Sequence, residues 1–362
     1  MIQPNTIVPG DCIEVLRDAG GVQADLVFAD PPFNIGYKYD LYQDRKAYDD
    51  YYAWTEKWMA ACRDVLKPAG SFWVAIGDDY AAEVRIIGRK LGLHLRNWVI
   101  WHYTFGQNTQ RKFARSHTHL FYWVKDPKHF TFNPNAVRVP SDRQREYKDK
   151  RALNTWGKVP DDVWTEFPRV CGTFRERESW HPCQMPETIL ARIVRTCSNA
   201  NDLVLDPFAG SGTTLVVAKK LGRNFIGIEL SSDYVEKIEA RLEEIICLSD
   251  IEGERKGPWH EEHLAELASL YAETGTPTDR LHSNPTLLAC FAQQFNWRLE
   301  VTGATVGYSV REVWRELELL RKRGKLPRVK VHARELPGPE VRQAPKEIPP
   351  RRLFGDSSQP RS

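Results

Sequence analysis

The most chemically suggestive run in the chain is Asp30-Pro31-Pro32-Phe33. It follows Asp25-Leu26-Val27-Phe28-Ala29, an apolar stretch that reads as a buried parallel strand and is stopped by the two prolines. Sheets with helices on both faces place reactive groups at the C-terminal ends of their strands. There, the Asp30 carboxylate and the Pro31 carbonyl can accept both N–H protons of an exocyclic amino group. Such a nitrogen is a poor nucleophile because its lone pair is delocalised into a ring. Two acceptors draw it towards tetrahedral geometry and aim the lone pair at an electrophile. The prolines hold the carbonyl and remove competing donors, and Phe33 offers a ring face to a base turned out of its stack. Catalysis would rest on alignment and on stabilising the charge that develops on nitrogen. Asp30 need not be a strong base, since the proton leaves after the new bond forms. Taken alone, the tetrapeptide also fits a plain strand-ending turn.

A second motif lies far along the chain. The strand Asp202-Leu203-Val204-Leu205 runs into Asp206-Pro207-Phe208-Ala209-Gly210-Ser211-Gly212-Thr213-Thr214, and the next strand, residues 224–230, contains Glu229 and Leu230. Two glycines between a buried strand and a helix let backbone approach a ligand closely. The helix start offers free N–H groups, and Glu229 is placed to accept both hydroxyls of a ribose. Dinucleotide binding shares these features. Leu215 stands where the third glycine would fall and Thr213 and Thr214 crowd the pyrophosphate position, but the turn alone leaves both ligands open. The Asp30 tetrapeptide is what favours S-adenosylmethionine over a dinucleotide. S-adenosylmethionine carries no phosphate and needs only a snug turn.

The elements that must position these groups alternate in type. Helices are expected over 51–66 and 79–91 and strands over 71–76, 98–103 and 120–125. After the glycine turn come a helix to about residue 221, the strand at 224–230 and an amphipathic helix over 233–248. The alternation predicts an α/β fold with a doubly wound, mostly parallel sheet. Residues 1–250 form the expected catalytic domain, with 133–180 as a loop-rich insertion. A connector follows over 251–283, then a small helical unit over 284–330 with helices from 285 and over 310–323, stopped by Gly324, a candidate helix-turn-helix-like element for DNA binding or dimerisation. The segment 331–362, rich in Pro and Arg, is expected to be disordered.

Composition narrows the setting. Net charge is +3 over 362 residues, so nucleic-acid affinity must come from local clusters. Seven scattered cysteines without a CxxC pair argue against a disulfide framework or structural zinc and for a reducing cytoplasm. No apolar run approaches a membrane span and no signal pattern opens the chain, and no metal site is expected.

Together these residues resemble the beta class of DNA amino-methyltransferases, in which the catalytic motif precedes the cofactor motif. Asp30 to Phe33 looks like the catalytic tetrapeptide of that class, and Asp206 to Thr214 like its cofactor loop. His181-Pro182-Cys183-Gln184-Met185-Pro186 is similar to an H-P-x-Q-K-P element that closes over the methionine moiety, with Met185 in place of the usual lysine. Gly10-Asp11-Cys12 resembles a turn that contacts the cofactor's adenine, and residues 116–125 resemble a strand pair flanking the target-base pocket. The resemblance spans residues 1–247. It implies S-adenosylmethionine as cofactor, a Rossmann-like sheet of seven strands with one reversed, and double-stranded DNA as partner. Asp at the first tetrapeptide position points to adenine N6, whereas Ser there goes with cytosine N4.

DNA contacts are expected from Arg111, Lys112 and Arg115 and from the insertion, through Arg138, Arg143, Arg145, Lys148 and Arg151. Cytosine-N4 methylation, an RNA substrate, or a binding protein of this fold without catalysis are the competing readings. A homodimer and a cognate restriction endonuclease stay open as partners. The recognition sequence is not legible.

Overall fold

The computed structural model describes residues 2–37, 41–42, 44–104, 109–139, 158–170, 176–245, 259–284, 287–288, 291–292, 294–296, 299 and 308–327. The expected reader residues Arg143, Arg145, Lys148 and Arg151, and the tail 331–362, lie outside these.

The described strands are β1 Thr6–Pro9, β2 Ala24–Ala29, β3 Leu66–Ile76, β4 His94–His102, β5 His117–Val124, β6 Val163–Trp164, β7 Leu203–Asp206 and β8 Asn224–Glu229. Between them run helices α1 Cys12–Arg17, α2 Tyr48–Val65, α3 Ala81–Lys90, α4 Glu187–Cys197, α5 Thr213–Lys220 and α6 Ser232–Glu243. They form one sheet in the order β1-β8-β7-β2-β3-β5-β4-β6. Only β5 is reversed: it pairs antiparallel with β3 and β4, and all other pairings are parallel. The sheet therefore has eight strands where seven were expected. The extra one, β6, is a two-residue edge strand from the insertion, too short to leave a periodic signal.

Both faces of the sheet are buried, as a doubly wound fold requires. In β2, Leu26 and Phe28 enter one core with Trp73 and Tyr122, while Val27 and Ala29 enter the opposite core with Phe72 and Trp123. Trp73 and Tyr122 stack at 4.6 Å across β3 and β5. On the other face a Cβ on Gly88 would lie 2.5 Å from Trp123, so α3 needs glycine there to pack on the sheet. Asp25 ties three strands together: its carboxylate accepts from Lys67 Nζ of β3 and from the Leu203 backbone N–H of β7.

The order places a topological switch between β7 and β2. From β2 the chain crosses to β3 on one side, and from β7 it crosses to β8 on the other. The loops leaving these two adjacent strands therefore diverge, and a crevice opens at their C-terminal ends.

Beyond residue 258, α7 Glu261–Thr274, α8 Thr278–Ser283 and α9 Val310–Lys322 share a separate core that includes Leu267, Leu281, Phe291, Phe295 and Leu317. The stretch expected as a connector thus contributes α7 and α8 to this core. Ser309 and Glu312 form a capping box at the start of α9. Gly324 follows the helix at φ +65°, the left-handed stop that the sequence predicts. Gln294 Nε2 donates to the Arg138 carbonyl at 2.7 Å, joining this unit to the insertion.

Candidate active site

The crevice holds a cavity of about 920 Å³, lined by both sequence motifs. Asp30 follows β2 and Asp206 ends β7; the pairings Leu26–Val204 and Val27–Leu205 bring the two carboxylates together. Burial pushes the Asp30 carboxyl up to about 7, and the charge of Asp206 adds to the rise. Asp206 is also pushed up to about 7, chiefly by burial; bonds from Thr214 and the Phe208 N–H oppose the shift. Two carboxylates that ionise reluctantly in one crevice suit a site that receives positive charge.

The loop from Asp206 to Thr213 is shaped for a close ligand. Gly210 and Gly212 adopt φ of +54° and +75°, and a Cβ on Gly212 would meet Ile238 Cγ2 at 2.4 Å. A Cβ on Gly210 would lie 3.1 Å from His181 Nε2. Burial depresses the His181 imidazole to about 4, so the ring is neutral there. Glu229 Oε2 accepts from the Gly210 N–H at 2.8 Å and Oε1 from the Ser231 N–H at 3.0 Å. The carboxylate is thus fixed at the cavity wall, an acceptor of the kind a diol needs. Leu230 lines the cavity beside it. Asp11 caps α1 by accepting from the Ile13 N–H at 2.8 Å, and Cys12 lines the cavity wall. The glycine cradle and the anchored Glu229 fit S-adenosylmethionine. Of the expected cofactor residues, Gly212 and Pro186 do not line the cavity. They are the N-caps of α5 and α4, and they set the direction of the two helices.

The element from His181 to Pro186 is held by a polar network that the sequence did not announce. Gln184 accepts from the Glu178 N–H at 2.8 Å and donates to the Glu176 carbonyl at 2.5 Å. Arg241 of α6 pairs with Glu178 at 3.1 Å and Glu187 at 3.3 Å, and donates to the Ser211 carbonyl at 2.8 Å. One guanidinium thus joins the glycine loop to this element. Met185, where the family usually carries lysine, is buried in the core that includes Ile189 and Leu190.

After Phe33 the chain folds around Asp44, which is 2% exposed. Its carboxylate accepts from the N–H groups of Asn34 (2.7 Å), Ile35 (3.2 Å) and Tyr37 (2.8 Å). Asn34, at φ +59°, bonds the Tyr80 hydroxyl and the backbone of Lys46. Tyr51 Oη donates to the Pro32 carbonyl at 2.6 Å, and Phe33 packs over Gly77, where a Cβ would be 3.3 Å from its ring. Sequence reasoning missed Asp44, Tyr51 and Tyr80, because a buried loop anchor leaves no periodicity or motif.

The basic residues divide. Lys112 and Arg115 line the cavity mouth, and Arg111 is exposed nearby. Arg115 is not a free phosphate ligand: it pairs with Asp78 at 2.7 Å and with Asp79 at 3.0 Å. Arg138 departs from expectation, being 8% exposed with Nε on Asn135 Oδ1 at 2.6 Å. Among the described residues no cluster could hold a metal ion, and no helix is long and apolar enough to cross a membrane.

A glycine-turn cradle and two buried carboxylates thus meet at the switch point of a doubly wound sheet with one reversed strand. A family model described as DNA methylase matches residues 24–240. Type II methyltransferase M.HpaI of Haemophilus parainfluenzae is 34% identical over 238 residues, covering 66% of this chain and 74% of that protein. DNA adenine methyltransferase YhdJ of Escherichia coli K12 is 36% identical over 248 residues, covering 67% and 83%. Among solved structures, PvuII DNA methyltransferase (cytosine-N4-specific) has the same fold, with a TM-score of 0.52 at 19% identity over 67% of this chain and 87% of that one. The chain belongs to the DNA methylase family of the N6/N4 amino-methyltransferase type, which uses S-adenosylmethionine.

Proposed function

We propose that this chain methylates N6 of adenine in duplex DNA, on a base turned out of the helix into the crevice. The observation that carries the reading is the juxtaposition of Asp30, at the end of β2, with the glycine loop leaving β7. S-adenosylmethionine supplies an electrophilic methyl on a positively charged sulfur. Glu229 binds its ribose hydroxyls, and the turn through Gly210 and Gly212 admits it close to backbone. The Asp30 carboxylate and the Pro31 carbonyl accept the two amino protons, and Phe33 stacks on the base. The nitrogen lone pair would displace the thioether from the methyl carbon, the carbon–sulfur bond breaking as the nitrogen–carbon bond forms and S-adenosylhomocysteine leaving neutral. The nitrogen is then cationic, and one N–H proton passes to the Asp30 carboxylate or to solvent. A carboxyl whose burial lifts it to about 7 holds such a proton near neutral pH.

Asp at the head of the tetrapeptide supports adenine over cytosine, as does the likeness to YhdJ, whose name says adenine. Extruding the base costs a few kcal/mol in stacking and pairing. Pre-set acceptors and the ring of Phe33 offset part of this. The test is labelled methyl transfer to DNA by wild type and by Asp30→Ala, with cofactor binding followed by calorimetry. The variant should lose turnover and keep cofactor affinity within about threefold; equal loss of both would contradict this division of labour.

A further inference from the structure

The loop between β4 and β5 carries a side chain that the fold does not use. Phe113 is 99% exposed, and Leu41, the next most exposed large apolar residue described, reaches 63%. A lone exposed ring is common on protein surfaces; what marks this one is its place among residues that line the active-site cavity. Its neighbours Arg111 and Lys112 are exposed as well. Lys112, Arg115 and Thr109 line the mouth of the active-site cavity. The Thr109 hydroxyl donates to the Lys112 carbonyl, which tightens the turn before Phe113.

The described end of the loop is anchored at Arg115. Arg115 pairs with Asp78 at 2.7 Å and with Asp79 through Nη1 at 3.0 Å and Nη2 at 3.2 Å. These aspartates follow β3 directly after Gly77, the residue on which Phe33 packs. Phe113 thus stands two residues from a staple on the wall of the pocket proposed to receive the base. Cations flanking a bare aromatic ring match a duplex with one opened step. Phosphates would meet Arg111 and Lys112, and the exposed faces of neighbouring bases would meet the ring.

We propose that Phe113 is a wedge that enters the DNA stack at the position the target base vacates. The inference rests on the reading that the base is extruded. It gives Phe113 a role distinct from that of Phe33, which stacks on the extruded base itself. An aromatic filler stabilises the opened duplex by stacking and slows return of the base. Arg115, in this account, positions the wedge instead of binding phosphate.

The test uses the full chain and short duplexes containing a modified site, first mapped by sequencing DNA treated with the wild-type protein. Phe113→Ala should lower kcat/KM on the matched duplex by about 10–100-fold, the scale of one lost base–aromatic stack. On a duplex with an abasic position opposite the target, where pairing no longer opposes extrusion, the loss should shrink to within about threefold. Phe113→Trp should retain activity on both, and cofactor affinity should not change in either variant. With 2-aminopurine at the target position, the fluorescence rise on binding should be large for wild type and small for Phe113→Ala. Equal loss on both duplexes, or full activity of Phe113→Ala on the matched one, would overturn the wedge alone. Absence of transfer and of fluorescence change with wild type would overturn base extrusion and the wedge with it.

Discussion

The hydroxyl of Tyr51 donates to the carbonyl of Pro32 at 2.6 Å, from a ring that is 1% exposed. Helix α2 thereby holds the turn that carries Asp30 and Pro31, although it lies a whole loop away in sequence. Tyr51→Phe keeps the ring and leaves a half-buried carbonyl without its donor, which costs about 1 kcal/mol. We expect a thermal midpoint lower by a few degrees and kcat reduced on the order of tenfold, since small misplacement of aligned groups is expensive. KM for the cofactor should stay within about twofold. Unchanged kcat would show that this bond does not set the catalytic turn.

Asp44 acts on the other flank of the same turn, through three backbone N–H groups. Asn at this position keeps one acceptor oxygen and turns an NH2 towards donors that need an acceptor. Asp44→Asn should therefore fold but lose about 10–100-fold in kcat. Circular dichroism and cofactor titration would separate this from global damage. A variant as active as wild type would remove Asp44 from the account.

The raised carboxyls of Asp30 and Asp206 predict a pH signature. Both are lifted from 3.8 to about 7, so the folded apo protein binds these protons more tightly than the unfolded chain does. That contribution to stability is full below about pH 3.8 and is lost as pH rises to about 7. Asp30→Asn removes one reluctant charge. Its thermal midpoint should exceed that of wild type by ~2–4 °C at pH 7.5, and the gap should close towards pH 4. Scanning calorimetry at the two pH values checks this, and a variant less stable than wild type at pH 7.5 would contradict it. In the wild type, kcat/KM should rise with pH through about 7 as Asp30 ionises.

Gly212 carries the cofactor turn at φ +75° against Ile238. Gly212→Ala adds a methyl 2.4 Å from Ile238 Cγ2 and incurs the left-handed penalty of about 1–2 kcal/mol. Cofactor affinity should fall about tenfold or more, and Ile238→Ala in the same chain should restore part of it by removing the clash. Isothermal titration distinguishes this from a loss confined to DNA binding. Wild-type affinity in Gly212→Ala would show that the loop tolerates a side chain.

Much of this site was legible in the sequence for a physical reason. A buried parallel strand that ends in two prolines, and another that ends in a glycine turn, are local patterns. Each marks its own end of the crevice without knowledge of the rest. The pairing of β2 with β7 is not local, so the meeting of Asp30 and Asp206 in one cavity could only be expected through resemblance. Helix α2 and strand β3 were expected nearly in place, but β3 begins at Leu66 and not Ser71, because its first residues pair irregularly across Lys67-Pro68-Ala69-Gly70. Strand β1 and helix α1 are too short for periodicity to reveal. Arg138 and Arg115 were expected to contact DNA. Their intramolecular partners Asn135, Asp78 and Asp79 were not legible, because such pairing is set by the tertiary fold.

The central claim is transfer of a methyl to adenine N6 at Asp30. The most direct measurement is incubation of the protein with unmethylated DNA and S-adenosylmethionine carrying a deuterated methyl, followed by nucleoside mass spectrometry. Deuterated N6-methyladenine is expected in the wild-type reaction and none with Asp30→Ala. Deuterated N4-methylcytosine without N6-methyladenine would contradict it.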